Sequence, residues 1–343
     1  LTRARNNLPA TMMLLAAGAF VVVLLAGWVG GKGFVRRIGT LSPGYLLLAL
    51  CVEICFMLLG TLRWSIIIRA QGGRIPRELL AISFSGAFLN NITPVSRTGG
   101  EPVRAYMLSR ANGTTFEEAM ATVVADRVFD MVPFVLICLV SFALITAFGV
   151  APGPLVLGLM LLGLVAAAVL STILIVASLR KEAGVKLVLL VVGRLEPFVR
   201  RFRPGHDIKA GTLQVLERFY RGTRSIAGRR SVLARGTLIS FILWLTIILR
   251  LKIVFLSVGS DLPLIIVNVV AVASTFSGFA PLLPGGLGAT EATMIALFVG
   301  FGTPNDVAAT AVLVDRVVSY WFVTAIGALT SVRLSLKLRD VER

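Results

Sequence analysis

Charged residues make up only 15% of this chain, and the groups that serve most soluble enzymes are nearly absent. A single histidine, His206, excludes a His-based metal site and any Ser-His or Cys-His catalytic pair within the apolar region. The three cysteines, Cys51, Cys55 and Cys138, lie inside apolar stretches without metal spacing or a pairing pattern, so no disulfide framework follows. No GxxxxGK[ST] phosphate loop occurs, which excludes transport driven by the chain's own ATP hydrolysis. No cofactor or metal is called for, and the expectation is a non-enzyme.

What is present is apolar. Hydrophobic residues account for 57% of the 343, and the mean hydropathy is +0.90, more apolar surface than a globule of this length can bury. A bilayer must be part of the solvent. The 34 Lys and Arg against 17 Asp and Glu would suit nucleic acid, but they cluster in loops between apolar runs. That distribution fits cytoplasmic loops meeting anionic headgroups, with no nucleic-acid partner.

A membrane helix needs roughly 20 mostly apolar residues. Six runs qualify: 11–30, 44–68, 116–148, 155–179, 232–257 and 307–332. Arg3 and Arg5 precede the first, which reads as a retained helix rather than a signal peptide. Two further apolar regions, 78–112 and 262–303, are interrupted by Pro and Gly and read as re-entrant or broken helices; the second alternatively forms two spans, 264–283 and 286–302. The predicted fold is an all-α polytopic membrane protein with a single membrane domain. Segment 180–231, with 13 Lys or Arg against four acids, and the basic tail place both termini in the cytoplasm, although Lys32, Arg36 and Arg37 then face outward. Within that linker, 186–198 and 207–227 read as amphipathic helices on the inner leaflet, or as a solvated basic loop.

The interrupted regions resemble each other. TPVSRTGGEPVRAYML is followed by MATVVADRVFD, and PLLPGGLGATEATMIAL by ATAVLVDRVVS. Each has Pro, Gly-Gly, Glu and then Asp-Arg-Val, with Glu101 and Asp126 spaced almost as Glu291 and Asp315. Such order predicts a duplication. With the orientation above the copies, 44–149 and 232–335, are inverted, an architecture of secondary transporters.

Charges at membrane depth are costly and must face protein or water. Those present are Arg97, Glu101, Arg104, Asp126, Arg127, Asp130, Glu291, Asp315 and Arg316, with Glu53 and Arg63 as further candidates, Arg63 snorkelling to the cytoplasmic interface. Around Gly99 and Gly100, Arg97 and Arg104 suit an anion site built with helix-end amides; the alternative is a membrane-edge turn. Asp126-Arg127 and Asp315-Arg316 suit structural salt bridges equally well; the alternative is that Asp126 or Glu101 exchanges a proton during transport. Pro94 in one copy, and Pro281, Pro284, Gly285, Gly286 and Gly288 in the other, break the helices and are candidate gates.

At TPVSRTGGEPVRAYML, ADRVFD, LLPGGLGATE and LVDRVVSYW the chain resembles the flippase-like transmembrane region of lysylphosphatidylglycerol synthases, the multiple peptide resistance factor family, including its stand-alone members. The resemblance implies an anionic-lipid substrate, a bacterial or archaeal cytoplasmic membrane, and cavity residues Arg97, Glu101, Arg104, Asp126, Arg127, Glu291, Asp315 and Arg316. The larger members carry a cytoplasmic aminoacyl-transferase domain; here the chain ends 11 residues after the last span, so lysyl transfer is expected to be absent. A membrane transferase using a polyprenyl-linked donor, and a non-transporting partner of a membrane enzyme, remain as alternatives. Headgroup, direction, coupling ion and oligomeric state, a homodimer included, stay open.

Overall fold

A computed structural model describes residues 36–93, 99–147, 208–277 and 284–341, with scattered residues between 158 and 190. The predicted span 11–30, most of 155–179, and residues Pro94, Arg97 and Pro281 fall outside the described residues.

All regular structure among the described residues is helical: α1 (Pro43–Gln71), α2 (Leu79–Ile92), α3 (Glu101–Asn112), α4 (Phe116–Ala147), α5 (Ile208–Ala227), α6 (Arg230–Ser257), α7 (Leu264–Ser277), α8 (Ala289–Gly300), α9 (Asn305–Arg316) and α10 (Val323–Val341). A π-turn, Val317–Phe322, joins α9 to α10 without a break. Among the described residues four helical stretches are long and apolar enough to cross a membrane: α1, most of α4, α6, and Asn305–Leu336 through the π-turn. Helices α2, α7 and α8 are apolar but short. At 1.5 Å per residue, the 12 residues of α8 cover only about 18 Å of the roughly 30 Å hydrocarbon layer.

Local chemistry explains the boundaries. Pro43 opens α1, where its missing N–H costs nothing, and Gly72, at φ 93°, closes it by donating to the Arg69 carbonyl. Pro304 precedes α9, and Gly113 ends α3. Between α7 and α8, Gly285, Gly286 and Gly288 have φ of 61°, 72° and 83°. Left-handed backbone of that kind suits glycine and cannot continue a helix, so the chain turns there.

The order long, short, short, long thus occurs twice, as α1 to α4 and as α6 to α10. The helices that open these two series, α1 and α6, pack along each other, and α2 packs on α10. Gly327 lets α10 approach the Phe84 carbonyl of α2, a place where any Cβ would collide. One apolar core spans α6, α7, α8 and α9, with Phe255 of α6 and Phe298 of α8 at 4.4 Å between ring centroids. A second gathers Trp64, Ile68, Ile82, Leu108 and Val123. Outward faces carry Leu47, Leu238, Leu245, Leu329 and Val332, exposed as lipid-facing residues are.

Helix α5 is strongly amphipathic, with Leu216, Tyr220, Thr223 and Ile226 buried and Arg221 and Arg224 exposed. Its apolar face rests on the chain itself: Gly222 meets Gln71 of α1 and Ala121 of α4, and Arg218 pairs with Glu117.

Candidate functional site: two ion-pair clusters and the cavity between them

Arg63 of α1 and Arg250 of α6 hold the same place counted from Pro43 and Arg230, and each is the hub of a buried cluster. Arg63 Nε donates to Asp126 Oδ1 at 2.8 Å, Nη2 donates to Asp130 at 3.1 Å, and Nη1 reaches both Asp130 and the Ser240 hydroxyl. Asp126 also accepts from Arg104 Nη2 at 3.2 Å, and Arg104 Nη1 donates to Glu101 at 3.1 Å. Arg127 closes the chain of pairs, its Nε donating to Glu101 at 3.0 Å. Helix α4 thereby binds α1 through Asp126 and α3 through Arg127.

The second cluster repeats the pattern. Arg250 Nε donates to Asp315 Oδ1 at 2.9 Å and Nη2 to Oδ2 at 3.4 Å, while Nη1 donates to Glu53 of α1. Arg316 donates to Glu291 and, at 3.5 Å, to the Gly285 carbonyl. Asp126-Arg127 and Asp315-Arg316 are neighbours on one helix, so their side chains point to different partners: each aspartate goes to the long helix and each arginine to the glutamate at a short helix's start.

Those helix starts are already occupied. Glu291 accepts the Gly288 N–H at 2.6 Å, and Glu101 receives Asn90 Nδ2 at 3.0 Å while Asn90 Oδ1 accepts the Gly100 N–H at 2.7 Å. Glu291 satisfies an orphan amide directly, Asn90 does so beside Glu101, and both carboxylates suit the helix dipole. Gly99 and Gly100 serve close approach, since a Cβ at Gly100 would strike the Gly86 carbonyl.

A cavity of about 300 Å³ opens between the clusters. Its charged lining is Glu53, Arg127, Arg250, Asp315 and Arg316, and Asn90, Asn91, Thr290, Ser319 and Tyr320 add polar groups. Phe56, Met57 and Met294 supply apolar wall. Arg127 lies deep among the helices, yet 43% of its side chain is exposed because it faces this space. Thr290, 5% exposed, carries a hydroxyl with no hydrogen-bond partner, a buried group left for a ligand or water to satisfy. Tyr320, presented by the π-turn, donates to the Asn91 carbonyl at 2.9 Å and lies against Gly285, tying α2 to the Pro284–Gly286 turn. Among the described residues no set of three His, Cys, Asp or Glu converges as a metal centre requires.

Of the sequence-predicted residues, Arg127, Asp315 and Arg316 line the cavity, Glu101 and Glu291 stand behind as the partners of Arg127 and Arg316, and Asp126 is held apart by Arg63 and Arg104. Arg104 does not line it: its guanidinium is held by Glu101 and Asp126 and lies 4.2 Å from the Trp64 ring centroid. Arg63, expected to snorkel outward, is instead buried at 3% exposure, because α4 brings Asp126 and Asp130 to it. Arg250, Asn90, Thr290 and Tyr320 carry no role in the sequence pattern alone. The signal for Arg250 was available, as the counterpart of Arg63; none marked the others.

A UPF0104 membrane protein of Methanothermobacter thermautotrophicus is 30% identical over 92% of this chain and 93% of its own, and another from that organism is 32% identical over 94% and 93%. Glycosyltransferase AglD of Haloferax volcanii is 24% identical over 94% of this chain, a stretch amounting to 55% of that protein. No solved structure matches. The family described as the lysylphosphatidylglycerol synthase TM region matches residues 14–327, and the chain belongs to that family.

Proposed function

We propose that the protein is a carrier that moves an anionic lipid, a glycerophospholipid or a polyprenyl-phosphate-linked lipid, between the leaflets of a cytoplasmic membrane. The observation that carries this reading is Arg127, which pairs with Glu101 yet has 43% of its side chain exposed in a cavity whose charged lining comes from both halves of the chain. Charge at membrane depth is expensive, and a protein needing only rigidity would bury its arginines against carboxylates, as it does with Arg63, Arg104 and Arg250. Arg127 and Arg316 are the phosphate-facing groups in this reading, Arg127 first, with Thr290 and Asn91 for the rest of the headgroup. About 300 Å³ is roughly ten waters' worth of room, enough for a headgroup while the chains stay in the bilayer.

The matched ion pairs support reading 44–149 and 232–335 as inverted repeats, with α2–α3 and α7–α8 as re-entrant hairpins entering from opposite faces. Exchanging the conformations of the two repeats then opens the cavity to each side in turn. Tyr320 and the Pro284–Gly286 turn form a gate, and the basic 180–231 segment sits against the inner leaflet. The likeness to AglD favours a second reading, a membrane transferase using a polyprenyl-linked donor.

Reconstitution separates the two. Vesicles holding the purified protein should carry labelled anionic lipid from the inner to the outer leaflet faster than empty vesicles, with zwitterionic lipid little affected and no new product formed. Equal rates with and without protein refute the carrier reading; a glycosylated lipid appearing on addition of a polyprenyl-linked sugar donor favours the transferase.

A further inference from the structure

Counted from the first residues of α1 and α6, Glu53 answers to Ser240 as Arg63 answers to Arg250. Counted from Phe116 and Asn305, Asp126, Arg127 and Asp130 answer to Asp315, Arg316 and Ser319. Each hub arginine therefore has one aspartate at an equivalent position and one further carboxylate from a different source. Arg63 takes Asp130 of α4 and meets only the Ser240 hydroxyl across the α1–α6 contact, at 2.6 Å. Arg250 takes Glu53 across that contact, and in place of a second α9–α10 acid there is Ser319, whose hydroxyl lies 3.5 Å from Asp315.

The exchange leaves the clusters unequal in charge. Arg63, Arg104 and Arg127 face Glu101, Asp126 and Asp130, three against three. Among the described residues Arg250 and Arg316 face Glu53, Asp315 and Glu291, two against three. An uncompensated buried charge is unfavourable, and a proton on one carboxyl removes it. Glu291 is fully buried and holds both the Gly288 N–H and Arg316, so neutralising it would undo the start of α8. Asp315 meets Arg250 through both oxygens. Glu53 offers one oxygen to a guanidinium that Asp315 already satisfies, and it lines the cavity.

We propose that Glu53 carries an exchangeable proton, reached through the cavity, that is coupled to lipid movement; the coupling rests on the carrier reading above. The groups facing Glu53 are Arg250 from α6, Asp315 and Arg316 from α9, Arg127 from α4 and the phenol of Tyr320 from the π-turn. Helices α2 and α7 bring only the uncharged Asn90, Asn91, Ser274 and Thr275 to the cavity, and α5 meets α1 at its Gln71 end. Protonated, Glu53 leaves Arg250 to Asp315 alone and weakens the charged link between α1 and α6. Ionised, it restores that link. A phosphate arriving beside Arg127 adds negative charge to the same space and strengthens proton binding at Glu53, and by reciprocity the proton strengthens lipid binding.

The test has two parts. Infrared spectra of the wild-type protein in lipid nanodiscs should contain a protonated-carboxyl stretch that shifts in D₂O, vanishes in Glu53→Gln and moves in Glu53→Asp. In vesicles, one proton per lipid gives about a tenfold leaflet asymmetry per unit of pH gradient, and Glu53→Gln should abolish the dependence on the gradient. Wild-type and Glu53→Gln spectra that coincide at every pH where the protein is folded overturn the proposal. So does lipid movement that ignores a proton gradient or follows a sodium gradient instead. Failure of the wild type to move any anionic lipid overturns the carrier reading, with the infrared band still deciding whether Glu53 holds the proton.

Discussion

Arg250→Met removes the hub of the second cluster and leaves Glu53 and Asp315, both buried, facing each other without a cation. Three hydrogen bonds go: two to Asp315 and one to Glu53. Charged hydrogen bonds contribute about 1.5–3 kcal/mol each, but the three do not add, because the stranded carboxyls take up protons rather than stay ionised. Removing one partner of a buried pair costs about 3–5 kcal/mol, and that is the expected loss for Arg250→Met. Replacing the whole triad by Glu53→Leu, Arg250→Met and Asp315→Leu should destabilise less than the single change, since no uncompensated charge remains. Thermal unfolding in detergent, followed by tryptophan fluorescence, measures both. An Arg250→Met protein as stable as wild type, or a triple variant less stable than the single, refutes the account of the cluster.

Gly285→Ala should destabilise by about 1–3 kcal/mol, because φ is 61° and the new Cβ meets the Tyr320 ring, whereas Gly60→Ala, mid-helix in open space, should be neutral or stabilising; thermal midpoints compare them. Asp306→Asn loses only a partly exposed pair with Arg37 and should shift stability by less than about 1 kcal/mol in the same measurement. In a background lacking Cys51, Cys55 and Cys138, cysteine placed at Gly73 should react with an impermeant reagent from the cytoplasmic side and cysteine at Ser260 from outside; labelling of both from one side contradicts the inverted orientation.

The long helices were legible because their signal is local: 44–68, 116–148 and 232–257 differ from α1, α4 and α6 by a few residues at the ends. The breaks were legible too, since Pro284 with three glycines cannot continue a helix. Partnership was less so. Glu53 and Arg250 are 197 positions apart and meet only because α1 packs on α6, which no sequence window reveals. Arg63 read as a snorkelling residue because nothing near it in sequence is acidic; its acids arrive on α4. Arg104 read as an anion-site residue and Arg127 as one suited to a structural salt bridge, yet of the two only Arg127 faces the cavity. The π-turn that presents Tyr320 leaves no mark in an apolar run.

The central claim is that an anionic headgroup passes the guanidinium of Arg127, and lipid movement by Arg127 variants tests it most directly. In vesicles at subsaturating anionic lipid, Arg127→Ala should slow translocation about tenfold or more, the equivalent of one charged hydrogen bond, and Arg127→Lys should restore it only in part because an ammonium lacks the planar fork. The exposed Arg229→Ala should match wild type. Arg127→Ala protein that folds normally and moves anionic lipid as fast as Arg229→Ala would contradict the account.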